Sequence, residues 1–482
     1  MRVRSSIAIA LATAFATAVP AQGVRISGVT SVQSIDVRPL VNDSVAAATV
    51  SGTEAWRTLP SGIPAFCGVD EYCRWKRSGS RVNLVPVLQD LSVAAWGLGQ
   101  GISVQAQVRA RSQLTSGDIT WPRADDHFDV LMAYVEADRG IGRLRLGRQW
   151  TSSGLGVFDF DGLSFRREQG HGMLEVFGGW SLLAGTDERT NSALFGAVDD
   201  LPADDAGLLF GARGRYRPTA NSSVAGVYQR TMAANRSQLY SERAALDASV
   251  RLGLATLDAS LVNNIASGEW EEVRLRAATT SARPWSLMAE ARRHLPFFEL
   301  WTIWGAFSPV GYDEARTVLT YRAPRGSATA GLHGGYRKYR ETDAGLDLRT
   351  NGWRAGADVS WQPRAHWSAG ANYDVDVGFG ASSSDATASL RWLASSDAFL
   401  GVQGSALQNI YEFRVGTGRV VGLAADGAIR LTPDVRLSFD AGLYRNTGSN
   451  GLAVTDWSQR RASLRLEWTA GGDPGARGRA TP

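Results

Sequence analysis

Segments of about ten residues in which apolar and polar side chains strictly alternate recur through most of this chain, and that repeat restricts what it can fold into. In ISVQAQVRAR, Val104, Ala106, Val108 and Ala110 form one face, while Ser103, Gln105, Gln107, Arg109 and Arg111 form the other. GRLRLGRQ sets Leu144 and Leu146 against Arg143 and Arg145. VVGLAADGAIRL and DVRLSFDAGLY repeat the pattern around Leu423, Ile429, Leu437 and Phe439. RRASLRLEW opposes Ala462, Leu464, Leu466 and Trp468 to Arg461, Ser463, Arg465 and Glu467. A period of two means strands with two unlike faces, because successive side chains on a strand point to opposite sides.

The connectors alternate as well. Short ones fall at 99–101, 138–142, 217–222, 323–327, 362–366 and 432–434; longer ones include 39–80, 114–126, 181–205 and 294–313. Short turns at one end and long loops at the other are what a barrel spanning an outer membrane requires. The pattern predicts an all-β, antiparallel, up-and-down transmembrane barrel of about 22 strands (range 18–22) over residues 22–469. The N-terminus, MRVRSSIAIALATAFATAVPAQG, has Arg2 and Arg4, then an apolar run, then small residues. This reads as a signal peptide over residues 1–21, too short for a membrane anchor, so the protein is exported. Residues 470–482, rich in glycine, proline and arginine, are expected to form a disordered tail.

A secreted sandwich or propeller also alternates, but its apolar face is a packed core of Val, Ile, Leu and Phe. Here that face is often Ala, Gly or Leu, and it ends in Trp or Tyr near strand termini, as at Trp96, Trp150, Trp180, Tyr216, Trp285, Trp361, Trp367, Trp392 and Trp468. Aromatic girdles at two lipid interfaces account for the 16 tryptophans. The export signal, the hairpin series and RLRLGRQW…FDFDGLSFR at 143–166 resemble bacterial outer-membrane porins and related channels, at the level of architecture. The resemblance implies passive diffusion of small hydrophilic solutes through the lumen. Proteins of this class usually end on an aromatic residue, a position that Trp468 fits although further residues follow it.

If the apolar faces meet lipid, their alternates line the interior. That sends Arg109, Arg111, Arg143, Arg145, Arg213, Arg215, Arg274, Arg276, Arg354, Arg430, Arg436, Arg461 and Arg465 inward, because a lipid-facing arginine costs about 2–4 kcal/mol at the midplane of a barrel. All but two of the 51 basic residues, Lys76 and Lys338, are arginine. Coding preference can select arginine over lysine, but it does not choose the face. Inward acids are Asp247, Asp258, Asp358, Asp374, Asp376, Asp385, Asp426, Asp440 and Glu467. Rings of arginine favour anions in a pore; an arginine–aspartate lattice filling a closed interior is the alternative. By the same resemblance, the acidic loop at 181–205 could fold inward and narrow a pore, or simply stand in solvent.

The most apolar stretch after the N-terminus, LPFFELWTIWGAFSPVGY at 295–312, lies in a loop position. Phe297, Phe298, Trp301, Trp304 and Phe307 there could join the outer girdle, plug the lumen, or form a stacking track for sugar rings. Cys67 and Cys73 are placed to close a small loop as a disulfide in an oxidising compartment.

Catalytic signatures are missing from the sequence: there is no GxSxG, no P-loop and no HExxH. His127, His171, His294, His333 and His366 have no metal spacing, so no metal and no cofactor is expected, and nothing suggests a nucleic-acid partner. The expected surroundings are outer-membrane lipid and a small hydrophilic solute, anionic or carbohydrate. The competing readings are a barrel that binds or exports surface polysaccharide and, further off, an outer-membrane hydrolase using His294 near Glu290 and Glu299. The sequence leaves the oligomeric state open.

Overall fold

The alternating segments pair with one another until no edge is left. The computed structural model describes residues 23–37, 40–53, 56–60, 64–67, 71–99, 101–115, 128–182, 207–233, 239–279, 284–296, 310–340, 350–378, 381–412, 417–448 and 457–472. Twenty-two antiparallel strands form one closed barrel, running from Gly23–Val37, Pro86–Trp96 and Ile102–Gln113 through to Val435–Gly448 and Trp457–Gly472. Each strand from Ile102 onward pairs with its sequence neighbours. The first strand closes the ring: it pairs with the last, from Val24↔Gly472 to Ile35↔Arg461, and with Pro86–Trp96, from Gly23↔Trp96 to Val32↔Val87. Closure satisfies every ladder hydrogen bond within the wall, the condition for strands to cross lipid.

Short turns gather at one end. Arg139–Gly142, Gln169–Gly172, Thr219–Ser222, Leu252–Ala255, Arg364–Trp367 and Thr432–Val435 each join adjacent strands directly. Gly170 (φ 58°) and Gly253 (φ 56°) take the left-handed conformation that such turns require and that a side chain would resist. The final strand runs on to Gly472, three residues past the expected boundary at 469.

Two faces of the wall are physically distinct. Leu144, Leu146, Leu163, Val176, Leu246, Leu275, Leu287, Leu400, Leu423 and Leu464 share the exposed outer face. Aromatic residues cluster on that face at the short-turn end, where Trp285 lies 4.8 Å from Tyr321 and Trp367 stacks on Trp392 at 6.2 Å between ring centroids. A second, five-stranded sheet, built from residues 40–78, stands at the opposite end. Cys67 and Cys73 are paired residues within it and form a disulfide. Arg77 donates to Asp43 at 2.6 Å; with the Ser44 backbone N–H it holds the Asp43 carboxyl below the usual range.

The expected signal peptide, the 181–205 loop beyond Leu182, the aromatic residues Phe297, Phe298, Trp301, Trp304 and Phe307, and all of the tail beyond Gly472 lie outside the described residues.

Candidate functional site: the lumen wall

The hairpin tip between strands Gly142–Ser153 and Gly156–Gln169 identifies the inner face of the wall. It bends across the interior. Leu155, 6% exposed, packs on Val227, Ala245 and Val262, which belong to three other strands. The Leu155 carbonyl accepts from Arg243 Nη1 at 3.3 Å, and the Ser152 carbonyl accepts from Arg213. Gly154 lies so close to the strand Leu239–Leu252 that a Cβ there would be 2.7 Å from Asp247 Oδ2 and 3.3 Å from the Ala245 Cβ. Residues that meet across the interior face inward, and strand parity carries that assignment around the ring.

By this parity Arg109, Arg111, Arg143, Arg145, Arg213, Arg215, Arg274, Arg276, Arg354, Arg430, Arg436, Arg461 and Arg465 lie on the face opposite the exposed leucines. Their partners differ. Arg109 meets Asp90 at 2.6 Å, Arg111 meets Asp129 at 2.6 Å, Arg145 meets Glu136 at 2.5 Å, and Arg143 meets Asp138 at 3.1 Å. Arg213 meets the buried Glu175 at 2.8 Å, and Arg274 approaches Glu272 at 3.4 Å. Arg465 meets Glu467 at 2.9 Å, Arg430 lies 3.9 Å from Asp397, and Arg461 donates to the Tyr444 hydroxyl at 2.7 Å. Among the described residues Arg215, Arg276 and Arg436 make no ion pair.

The densest part of the wall surrounds Glu314, whose side chain is 0% exposed. Arg292 reaches it at 2.7 Å, Arg337 at 3.0 Å and Arg354 at 2.7 Å, from three different strands. Arg337 also holds Asp376 at 3.1 Å, and Arg292 donates to the Tyr312 hydroxyl at 2.7 Å. Next to this group, Arg316 pairs with the buried Glu290 at 2.9 Å. Three guanidinium groups on one carboxylate leave local positive charge even after Asp376 is counted. Of these arginines, sequence reading singled out only Arg354 as lumenal. Arg292, Arg316 and Arg337 were missed, although the alternation of Arg292 with Ala291 and of Arg316 with Ala315 carries the signal.

Aspartates dominate another sector. Asp358, Asp374, Asp376, Asp385, Asp426 and Asp440 line strands from Asn351–Arg364 to Val435–Gly448. His333 Nε2 lies 2.6 Å from Asp374 Oδ1. Asn372 contacts both Asp374 (3.2 Å) and Asp385 (3.4 Å). His294, the residue on which a hydrolase would depend, lies 3.5 Å from Glu272 and beside the Tyr312 ring, while Glu290 is occupied by Arg316. No group of three metal-ligating side chains occurs among the described residues.

Sequence polarity misleads in one place. In FDFDG, Phe158 and Phe160 face inward and Asp159 and Asp161 outward. Phe160 is fully buried with Phe177 and Leu209, and Phe158 bridges this cluster to the one under Leu155, so the folded tip sits on a small dry core inside the barrel. Outside, Arg148 grips Asp161 through two contacts of 2.8 Å and donates to the Val130 carbonyl at 2.7 Å.

No family model and no curated protein matches the chain. Solved structures to which it is similar include a BenF-like porin from Pseudomonas fluorescens Pf-5 (10% identity, 92% of this chain and 99% of that chain, TM-score 0.44). Others are Pseudomonas aeruginosa OpdK with vanillate (7%, 93% and 99%, TM-score 0.42) and Acinetobacter baumannii OccAB4 (8%, 93% and 98%, TM-score 0.40).

Proposed function

We propose that the chain is an outer-membrane channel for passive diffusion of small hydrophilic solutes, with a preference for anions. The short turns then face the periplasm and the five-stranded sheet faces outward. The observation that carries the reading is the lumen wall itself. Twenty-two strands enclose more space than their own inward side chains fill, and the tip at Gly154–Leu155 narrows that space from one side. Arg213 and Arg243 bond to the tip while paired with Glu175 and Glu271, so the net positive charge along the wall comes from the group around Glu314 and from the arginines without an ion pair. Cationic side chains lining a pore favour anions entering it.

The arginines do not form the fully neutral lattice that a closed interior would need. The group around Glu314 retains positive charge, and Arg215, Arg276 and Arg436 remain available to a passing carboxylate or phosphate. Reconstitution in planar bilayers under a salt gradient tests the proposal: discrete conductance steps with a reversal potential on the anion side are expected. A silent protein, or a clear cation preference, would sink it.

A further inference from the structure

On the outer surface of the barrel, four strands frame a groove of about 470 Å³. Strand pairing sets its residues in two rows, Val273–Arg293–Asp313–Lys338 and, one step further from the strand ends, Leu275–Ala291–Ala315–Tyr336. The small side chains of Ala291 and Ala315 make the floor, and the exposed Leu275 and Tyr336 stand as walls. Toward the barrel middle the floor continues through Ala277, Ala289, Thr317 and Gly334, so the depression lies along the direction a lipid chain takes. These residues are opposite in parity to Arg292 and Glu314 and belong to the lipid side.

The upper rim has a different character. Arg293 Nε lies 3.2 Å and Arg340 Nη2 2.9 Å from the same Asp313 oxygen, which holds two guanidinium groups side by side. Each retains donors that this one carboxylate cannot use. Lys338, one of the two lysines in the chain, completes the rim, and among the described residues no carboxylate pairs with it. Three cations against one anion sit within two residues of the strand ends, where headgroups meet water. Arginine is costly on a lipid face unless an anion meets it there.

We propose that this groove is a binding site for a phosphorylated lipid of the outer leaflet, with one acyl chain over Ala291 and Ala315 and a phosphate on Arg293, Lys338 and Arg340. The proposal rests on the outer face meeting lipid and is independent of what the lumen transports.

The test is native mass spectrometry of the full-length protein in a zwitterionic detergent, titrated with diphosphorylated lipid A or with phosphatidylcholine. Inorganic phosphate serves as competitor. Lipid A should bind about thirtyfold more tightly than phosphatidylcholine, the ratio two basic residues at a membrane surface supply. The Arg293→Gln/Lys338→Gln double variant should remove that ratio, Ala315→Leu should weaken retention of lipid A, and bilayer conductance should be unchanged in both. Equal affinity for the two lipids, a preference that survives the double variant, or full displacement of lipid A by millimolar phosphate would each overturn the assignment. If the outer face does not meet lipid at all, the failure shows separately, as a protein that stays monodisperse when detergent is removed.

Discussion

The sector of the wall from Phe128–Arg139 to Ala328–Tyr339 and the sector from Asn351–Arg364 to Val435–Gly448 share pairing and inward polarity, yet among the described residues only the first buries any of its carboxylates. In the first, Glu175, Glu271, Glu290 and Glu314 are all buried, at 3–6% exposure, and each is held by at least one arginine. In the second, the carboxylates of Asp374, Asp376 and Asp426 remain 34–43% exposed, and Asp426 reaches its nearest arginine, Arg391, only at 3.5 Å. A buried carboxylate cannot remain charged without close cationic partners. An exposed one can rely on water, so it adds to the field of the lumen rather than to the cohesion of the wall. The first sector therefore ties its buried carboxylates into the wall, and on the channel reading proposed above the exposed carboxylates of the second would add to the field in the lumen.

Four experiments probe that contrast. Glu314→Gln leaves Arg292, Arg337 and Arg354 crowded without their shared anion, and should destabilise the barrel by about 3–5 kcal/mol. Asp426→Asn, in the open sector, should change stability by no more than about 0.5 kcal/mol, as for surface substitutions generally. Denaturant unfolding in matched detergent compares the two. Similar losses would show that the sectors do not differ as described.

Next in size is Gly154→Val. Its side chain has no room beside Asp247 and Ala245, so the tip is pushed off the wall, with an overpacking cost of about 1–3 kcal/mol. Single-channel conductance should rise; an unchanged value would mean that the tip does not limit flow. Selectivity gives a finer measure. Arg276→Gln with Arg436→Gln should lower the anion-to-cation ratio at 0.1 M salt, where the Debye length is about 10 Å, and have little effect at 1 M, where it is about 3 Å. A difference that persists at high salt would assign these arginines a steric role instead. A modest effect, between those of Glu314→Gln and Asp426→Asn, is expected at Asp161→Asn, which removes the outer partner of Arg148 beside Trp180. Near an interface this should cost about 1 kcal/mol, measured by the same unfolding assay.

Most of the architecture was legible because alternation and turn residues are local signals. A row such as Leu144 and Leu146 against Arg143 and Arg145 fixes its own facing whatever happens elsewhere in the ring. The segment FDFDG was not legible for the converse reason. Its phenylalanines face inward because Phe177, Leu209, Val227, Ala245 and Val262 on other strands receive them, and its aspartates can face outward because Arg148 is there to meet Asp161. Both conditions depend on residues brought close only by the fold. A clue was nonetheless present in RLRLGRQW: Arg148 is out of step with Arg143 and Arg145, so the three cannot all point the same way. The arginines on Glu314 illustrate the same limit. Parity shows that they face inward, but only the register of four adjacent strands shows that they share one carboxylate.

The seam between Gly23–Val37 and Trp457–Gly472 also bears on assembly. The opening segment of the wall pairs with a mate more than four hundred residues further along the chain, so the cylinder cannot close until the last strand of the wall is in place. Because beginning and end lie alongside each other, cutting the chain at a tight turn such as Leu252–Ala255 and joining the old ends would preserve every ladder.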